Sequence, residues 1–286
     1  MLERMASHAR LLLSTASLYP LDIAQCFELA AAEAFDGLEL HCDARWSSRD
    51  PSYLRELHER YRIPVVVLHS PAQMLLPGWS QQQPTTWLEH SLALAQQLAV
   101  ETLVISLPWR WQALHWQLGQ HQGQSWWPKA DKQTYRWLQE HLGSSNIPIA
   151  LENMPAVYVW GWRVNANYWN TLSHWQQDKT SLALNISHWA SFDIAPLEAY
   201  TSAKDRVRHI YLNNFDGRIN RLPHRGLVNV AHFLDVLAED GFRGTLSLAV
   251  QPEALKVSDS LRLQQLLFES LAFCRSHLQQ DADPFV

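Results

Sequence analysis

The residue best placed to do chemistry is Glu152, a carboxylate at the end of an apolar run. That run, Ile147-Pro-Ile-Ala-Leu-Glu-Asn-Met154, is typical of a β-strand buried on both faces. Burying a carboxylate is unfavourable unless it is paired, hydrogen-bonded or bound to a metal. Two explanations are open: a salt bridge to a neighbouring loop, or a catalytic carboxylate where a parallel strand opens into an active site. We favour the catalytic one.

Other apolar runs also end in polar side chains. Because side chains alternate along a strand, Glu39 shares a face with His41, and His209 shares one with Tyr211 and Asn213. Histidine, glutamate, asparagine and tyrosine converging at one edge are typical of a site for a small polar molecule, such as a sugar, or for a divalent metal. The substrate-binding residues predicted from this group are His41, His69, Asn185 and Tyr211.

Strands and helices that would hold these residues alternate along the whole chain. The predicted strands are Leu11–Ser14, Gly37–His41, Pro64–His69, Thr102–Leu107, Ile147–Glu152, Leu182–Ile186, Val207–Asn213 and Thr245–Val250. The predicted helices are Leu21–Ala34, Ser52–Arg60, Thr85–Leu98, Ala130–Leu142, Pro196–Ala203, Val230–Glu239 and Leu261–Leu278. Such alternation predicts an α/β protein with a parallel sheet, and eight units predict a single (β/α)8 barrel domain over residues 1–286.

A doubly wound open sheet is the competing architecture. No GxGxxG or GxxxxGK[ST] motif follows any predicted strand, which removes the usual nucleotide-binding forms of that fold. We therefore expect no nucleotide cofactor.

Tryptophan is unusually frequent, with fourteen residues in the chain. Trp109 and Trp160 fall in the two long connections after the fourth and fifth predicted strands, where large aromatic side chains line a pocket or a subunit interface. We predict both as substrate-binding residues, with a homo-oligomer contact as the other use of this region. That these side chains only cover long loops is an equally open interpretation.

The composition argues against a nucleic-acid-binding, disulfide-rich, secreted or membrane protein. A net charge of -5 and a pI of about 6.3 give no basic surface for nucleic acid, so no nucleic-acid partner is expected. Three cysteines without a CxxC pair indicate neither a disulfide framework nor a thiolate zinc site. The apolar run Leu11 to Leu13 is too short for a signal peptide, and no stretch reaches the ~20 apolar residues of a membrane span. We predict a cytoplasmic protein without a membrane partner.

Five segments, taken in order and spacing, resemble the xylose isomerase-like barrel superfamily over nearly the whole chain. This superfamily includes tagatose/psicose 3-epimerases, hydroxypyruvate isomerase and inosose dehydratase. The segments are Phe35-Asp-Gly-Leu-Glu-Leu40, Leu151-Glu-Asn-Met154, Leu184-Asn-Ile-Ser-His188, Arg221-Leu-Pro-His-Arg-Gly226 and Gly241-Phe-Arg-Gly-Thr-Leu-Ser-Leu248. The resemblance implies a barrel enzyme that isomerises or epimerises a small polyol, keto-sugar or related carbonyl compound.

The resemblance also implies a divalent metal held by four strand-end residues. Of these ligands this chain keeps Glu152, whereas Asn185, Tyr211 and Ala249 stand at the other three positions. Because hard dications prefer anionic oxygen, one carboxylate should bind Mg²⁺ or Mn²⁺ poorly. A zinc or other nitrogen-preferring metal in a relocated site is the remaining metal option.

By the same resemblance, Glu152 is the base, while His188 and Arg221 contact the substrate and complete the catalytic set. Ala249 replaces the second carboxylate of the family, so metal-free acid–base chemistry, including a lyase or dehydratase reaction, is the variant expected here. A barrel without catalysis that serves as a binding or assembly subunit is the alternative. The endonuclease IV branch fits less well, because the fourth strand ends Ile105-Ser-Leu-Pro108 without that branch's histidine.

Overall fold

The computed structural model describes residues 9–71, 86–107, 136–177 and 179–278. Eight parallel strands close into a barrel, and strand neighbours follow chain order around it. A two-stranded hairpin is inserted after the fifth barrel strand. The strands are β1 Arg10–Ser14, β2 Gly37–His41, β3 Val65–His69, β4 Thr102–Ser106, β5 Ile149–Glu152, β6 Val157–Val159, β7 Trp162–Val164, β8 Ser181–Asn185, β9 Val207–Leu212 and β10 Thr245–Leu248.

Helices follow the barrel strands. Their bounds are Ile23–Ala32, Pro51–Tyr61, Thr86–Leu98, Leu172–Gln177, Ile186–Ala190, Pro196–Ala203, Val230–Glu239, Pro252–Leu255 and Ser260–Leu278, with short 3-10 helices at Thr15–Leu18, Trp46–Arg49 and Lys204–Arg206. A helical stretch also covers 136–141, whereas the first half of the predicted helix Ala130–Leu142 lies outside the described residues. The predicted (β/α)8 architecture is confirmed.

Local sequence signals fix where the helices begin. The helix Ile23–Ala32 opens with a capping box, in which Oε1 of Gln25 accepts a 3.0 Å hydrogen bond from the backbone N–H of Asp22 and the Asp22 side chain faces the backbone N–H of Gln25. The helix Pro51–Tyr61 begins at Asp50, whose carboxylate accepts two backbone N–H bonds, and proline suits its first position.

Alternate residues of the barrel strands face two different environments. Outward-facing side chains, such as Leu38 and Leu40 of β2, pack into the large apolar core shared with the helices. Inward-facing positions carry a small apolar cluster, which includes Ala150 and Ala183, and polar side chains such as Glu152. The strand period of two therefore puts most of the apolar burial outside the barrel and leaves its interior for polar groups.

The structure differs from the predicted bounds mainly at the strand ends. Asn185 ends β8 and caps the next helix, accepting a hydrogen bond from the backbone N–H of His188, so Ile186 begins a helix and does not end a strand. β10 ends at Leu248, and Ala249 consequently lies just beyond it. The predicted strand was two residues too long because Ala249 and Val250 continue its apolar pattern.

The hairpin β6–β7 was not predicted. Trp160 and Gly161 occupy its turn with φ of 49° and 81°, the left-handed values that a two-residue type I′ turn requires. Three aromatic side chains of the hairpin, Tyr158, Trp160 and Trp162, are 59%, 79% and 76% exposed.

Across the described ranges, no helix is long and apolar enough to cross a membrane.

Candidate active site

Glu152 ends β5 inside the mouth of the barrel and is only 6% exposed. Its Oε2 atom lies 2.9 Å from Nε2 of His69 and accepts a 3.4 Å hydrogen bond from the hydroxyl of Ser106. Its Oε1 atom accepts a 3.0 Å hydrogen bond from Nδ2 of Asn185. Three neighbouring strands, β3, β4 and β8, therefore satisfy the buried carboxylate.

The contacts of His69 indicate that it is an imidazolium. Its Nδ1 lies 2.6 Å from the carbonyl oxygen of Ser70, and its Nε2 faces Glu152, so both ring nitrogens meet acceptors. Neutral imidazole has only one N–H, and both bonds form only when the ring is protonated. Burial lowers the pKa of His69, but the hydrogen bond and charge of Glu152 outweigh it and raise the pKa above its usual value.

Glu152 is correspondingly an ionised carboxylate. Burial raises its pKa, but the hydrogen bond and charge of His69, the neighbouring His188 and the amide of Asn185 together lower the pKa to about 2. The pair Glu152–His69 is therefore a buried ion pair at neutral pH.

His188 lies beside this pair in a different protonation state. Its Nδ1 is 2.7 Å from the carbonyl oxygen of Asn153 and 3.6 Å from Oε1 of Glu152. Burial lowers the pKa of His188, so the ring is neutral at pH 7. Since Nδ1 donates its hydrogen to Asn153, the lone pair of the neutral ring is on Nε2.

Asn153 holds the backbone of Asn185, while Asn213 and Ser187 fix the orientation of its side-chain amide. Asn153 donates to the carbonyl oxygen of Asn185 at 3.1 Å and accepts from its backbone N–H at 2.7 Å. Oδ1 of Asn185 accepts from Nδ2 of Asn213 and from the hydroxyl of Ser187, both at 3.1 Å. With its oxygen engaged by these donors, Asn185 must direct its NH₂ group at Glu152.

Two further predicted residues border His69. The ring of His41 stacks on it with centroids 4.6 Å apart, and Tyr211 meets it edge-on at 6.1 Å. Burial lowers the pKa of His41 to about 3, and burial raises the pKa of Tyr211 well above its usual value. Both side chains are therefore neutral at pH 7.

The remaining predicted residues do not join this network. Arg221 lies in the loop after β9, where its Nε donates a 3.0 Å hydrogen bond to Asp216. Trp160 is at the exposed turn of the hairpin. Trp109 lies outside the described residues.

Ser106 and Asn153 were missed by the sequence analysis. Their positions carried a signal: Ser106 ends β4 on the same face as other inward residues, and Asn153 directly follows Glu152. Their hydrogen-bond partners could not be predicted, because Ser106 bonds Glu152 and Asn153 bonds Asn185, residues that are distant in sequence.

The donor set at the four family positions does not fit a divalent metal. Asn185 turns its NH₂ toward Glu152, Tyr211 is a neutral phenol and Ala249 offers no side-chain donor. No group of three or more histidine, cysteine, aspartate or glutamate side chains within the described ranges is placed to hold a metal ion. The charge that a dication would supply beside Glu152 comes here from His69.

Asn185→Asp tests how strongly this arrangement depends on the amide. The variant places a second carboxylate at the position now 3.0 Å from Oε1 of Glu152, so we expect repulsion to raise the pKa of Glu152 and to lower the free energy of unfolding at pH 7 by about 1–3 kcal/mol. Urea unfolding at pH 7 measures the loss. Asn146→Asp, at an exposed position, is the matched control, and equal losses in the two variants would contradict the assignment.

The fold and this cluster define a (β/α)8 barrel with its polar groups at the carboxyl ends of the strands, the arrangement typical of barrel enzymes. Residues 27–271 match the family described as "Xylose isomerase-like TIM barrel". The chain belongs to this family, as its sequence motifs indicated.

Relatives of similar length exist in mycobacteria. An uncharacterised protein of Mycobacterium leprae is 26% identical over 93% of this chain and 96% of its own length. One from Mycobacterium tuberculosis is 25% identical with the same coverage.

Similar solved structures include sugar epimerases. The 3-keto-D-glucoside 4-epimerase of E. coli has a TM-score of 0.65 at 14% identity and covers 94% of this chain and 99% of its own. A D-tagatose 3-epimerase-like protein has a TM-score of 0.62 at 19% identity, with 92% and 99% coverage. The D-psicose 3-epimerase of Clostridium cellulolyticum H10 has a TM-score of 0.62 at 14% identity, with 94% and 99% coverage. At these identities the likeness concerns the fold.

Proposed function

We propose that the protein is a sugar isomerase- or epimerase-like enzyme that moves a proton on a small polyol, keto-sugar or related carbonyl compound without a bound metal. The observation that carries the proposal is the buried, ionised Glu152 beside the neutral ring of His188 at the ends of the barrel strands. Structural relatives that are named as sugar epimerases support the substrate class.

In this proposal each residue of the site has a separate role in the proton transfer. Glu152 takes the proton from the carbon next to the carbonyl group, and the same proton, or one from solvent, is returned to an adjacent position of the enediolate. His188 contacts substrate oxygens, and its Nε2 lone pair is a second proton acceptor. The His69 imidazolium supplies positive charge near the developing oxyanion, whereas Arg221, paired with Asp216, would have to leave that partner to contact the substrate.

The low pKa of Glu152 limits this scheme. A carboxylate with a pKa of about 2 holds a proton weakly, whereas efficient bases have a pKa near the working pH. Substrate binding that separates His69 from Glu152 would raise the pKa of Glu152 and strengthen the base. If instead Nε2 of His188 takes the proton, Glu152 at 3.6 Å stabilises the imidazolium that forms.

These two routes predict different pH profiles. With Glu152 as the base, the rate at low substrate concentration should stay level from pH 5 to pH 8, because it reports the free enzyme, in which the carboxylate is ionised throughout. With His188 as the base, the rate should fall on acidification through the pKa of His188, which burial holds below 6.5. The measurement is the rate of exchange as a function of pH, for the wild type and for His188→Gln.

Solvent deuterium exchange tests the proposed function without knowledge of the product. The protein, pretreated with a chelator, is incubated in D₂O with a panel of ketoses, keto-glycosides and polyols, and mass spectrometry detects deuterium at exchangeable carbons. We expect exchange on at least one panel member, at a rate that added Mg²⁺, Mn²⁺ or Zn²⁺ does not increase. Exchange that requires added metal would overturn the metal-free mechanism, and no exchange across the panel would overturn the enzyme assignment.

A barrel without catalysis that binds a ligand or a second subunit is the second candidate. The loss of the family's metal ligands at Asn185, Tyr211 and Ala249 favours it, because those are the positions at which the family's chemistry takes place. The exposed aromatic side chains of the β6–β7 hairpin would give such a subunit, including a homo-oligomer, an apolar contact. This candidate predicts tight ligand or subunit binding with no exchange.

A further inference from the structure

One buried side chain holds together the loop that follows β9, residues 215–228. Asn214, which is 2% exposed, donates from Nδ2 to the carbonyl oxygens of Pro223 at 2.8 Å and Val228 at 3.0 Å. Its Oδ1 accepts hydrogen bonds from the backbone N–H of Phe215 at 2.7 Å and of Val228 at 3.0 Å. A side-chain amide has two N–H donors and an oxygen with two lone pairs, so backbone groups of the loop use the whole capacity of Asn214.

Gly226 leaves the space that the Asn214 amide occupies. A Cβ atom at position 226 would overlap Oδ1 of Asn214 and would lie 2.8 Å from the carbonyl oxygen of Phe215. The backbone of Gly226 is not in the left-handed region, so an alanine there meets this steric conflict without backbone strain. Asn214 and Gly226 therefore form one packed unit, which can be disturbed from either side.

Asn214 also holds the backbone of Arg221. The two residues form an isolated antiparallel bridge, in which each N–H donates to the carbonyl oxygen of the other at 2.9 Å. The guanidinium of Arg221 is held more weakly. Its Nε donates to Asp216 at 3.0 Å, but the two side chains are 31% and 39% exposed, and ion pairs at such exposure contribute little. The backbone of Arg221 is thus fixed, while its side chain is able to change partners.

Asn220, the residue before Arg221, docks the loop on the barrel. Its backbone N–H donates to the hydroxyl of Ser187 at 3.1 Å, and its Oδ1 accepts from Nδ2 of Asn213 at 2.9 Å. Ser187 and Asn213 are the two side chains that orient the amide of Asn185. The backbone that carries Arg221 is therefore anchored to the network of the candidate active site.

We propose that Asn214 is a positioning residue for substrate binding by Arg221. Asn214 preforms the loop 215–228, so that binding requires only the Arg221 side chain to move, from Asp216 to an oxygen atom of the substrate. This inference rests on the proposed function, in which Arg221 contacts the substrate. Because a preformed loop loses little conformational entropy on binding, Asn214 contributes to substrate affinity, whereas the proton transfer itself depends on Glu152 and its neighbours.

The kinetics of Asn214→Ala test this role. We expect KM for deuterium exchange to rise about 10-fold and kcat to stay within about twofold of the wild type, because the loop must then be ordered when the substrate binds. Asn229→Ala is the matched control. Asn229 lies at the end of the same loop and accepts a 3.2 Å hydrogen bond from the backbone N–H of His232, so its loss should lower stability without changing KM. An unchanged KM in a folded Asn214→Ala protein would overturn the inference.

A double-mutant cycle with Arg221→Ala separates positioning from a general structural effect. Arg221→Ala should itself raise KM, and adding Asn214→Ala to it should raise KM no further, since Asn214 acts through Arg221. Additive increases in KM would mean that Asn214 supports the fold and does not act through Arg221, and an unchanged KM in Arg221→Ala would also overturn the inference.

Backbone hydrogen exchange tests the preformed loop without any substrate. In Asn214→Ala and in Gly226→Ala we expect the N–H groups of Arg221 and Val228 to exchange at least about 10-fold faster than in the wild type. The double variant should exchange no faster than Asn214→Ala, because the added Cβ then has room. Wild-type protection in Gly226→Ala, or a further loss of protection in the double variant, would refute the packed unit of Asn214 and Gly226.

The two experiments distinguish failure of this inference from failure of the proposed function. If the wild type exchanges deuterium into no sugar, the proposed function and the binding role of Arg221 are both overturned, while the hydrogen-exchange result still decides whether the loop is preformed. If Asn214→Ala does not fold, Gly226→Ala replaces it in the kinetic test, because it disturbs the same unit and should raise KM in the same way.

Discussion

Glu152→Gln is expected to reduce solvent deuterium exchange by at least about 100-fold while the barrel stays folded, because a positioned acid–base group contributes that much or more. It should also lower the pKa of His69. The carboxamide still accepts a hydrogen bond at 2.9 Å from Nε2, but it removes the negative charge that keeps the buried imidazole protonated. Exchange rates and the NMR titration of His69 in the same sample give the two readouts.

Comparison with a surface variant separates this effect from a general loss of charge. Glu59→Gln, on the exposed face of the helix Pro51–Tyr61, should leave both readouts at their wild-type values. Full exchange activity in Glu152→Gln would remove Glu152 from the mechanism. An unchanged His69 pKa in that variant would show that another group stabilises the imidazolium.

Acid is expected to destabilise the protein steeply, because the barrel interior holds two histidines that are neutral at pH 7, the buried His209 and the partly buried His41. Burial lowers the pKa of both His41 and His209 from 6.5 to about 3. A group whose folded pKa is depressed contributes stability above its unfolded pKa and loses it as the pH falls toward the folded value. Below pH 6.5, each histidine should therefore reduce the free energy of unfolding by up to about 1.4 kcal/mol for each unit by which the pH falls.

Two carboxyl groups modify this slope in opposite senses. Glu39 has a raised pKa of about 7, so it lowers the free energy of unfolding as the pH rises from 4.5 to 7. Between pH 4.5 and pH 6.5 this change offsets the effect of one histidine. Glu152 has a lowered pKa of about 2, so its contribution is lost as the pH falls from 4.5 to 2 and adds to the acid effect.

Urea unfolding at pH 7.5, 6 and 5 checks the acid prediction. His209→Asn should flatten the pH dependence by about 1.4 kcal/mol per pH unit, because asparagine does not titrate. His232→Asn, at an exposed helix position, is the control and should keep the wild-type slope. Parallel slopes for the wild type and His209→Asn would mean that His209 is not the buried neutral group described above.

The sequence predicted the fold closely because each barrel strand is a short apolar run between helical patterns. The bounds of β2, Gly37–His41, and of the helix Val230–Glu239 were predicted to the residue. The hairpin β6–β7 was missed because its strands are only three residues long, too short for an alternation pattern to be recognised. Only the Trp160-Gly161 turn marked it.

The residues of the candidate site could be predicted from the sequence, but their protonation states and hydrogen-bond partners could not. Glu152 and His69 were recognised from their positions at strand ends, yet their ion pair joins residues 83 positions apart, and no local pattern specifies it. The same limit applies to Asn185. Its replacement of an acidic ligand was visible in the sequence, but its role as a hydrogen-bond donor to Glu152 depends on the amide orientation that Asn213 and Ser187 impose.

Outward leucines and inward polar groups of the barrel strands are under different selection: the outward ones for folding, the inward ones for the reaction. Mutations that shrink outward side chains, such as Leu38 or Leu246, should be eliminated by selection because they destabilise the fold, whatever reaction the barrel performs. Inward positions such as Ser247 and Ala249 contribute little apolar burial, so their side chains can change with little effect on stability. A lineage built on this barrel can thus exchange a metal centre for an ion pair by substituting inner residues, without first passing through an unstable ancestor.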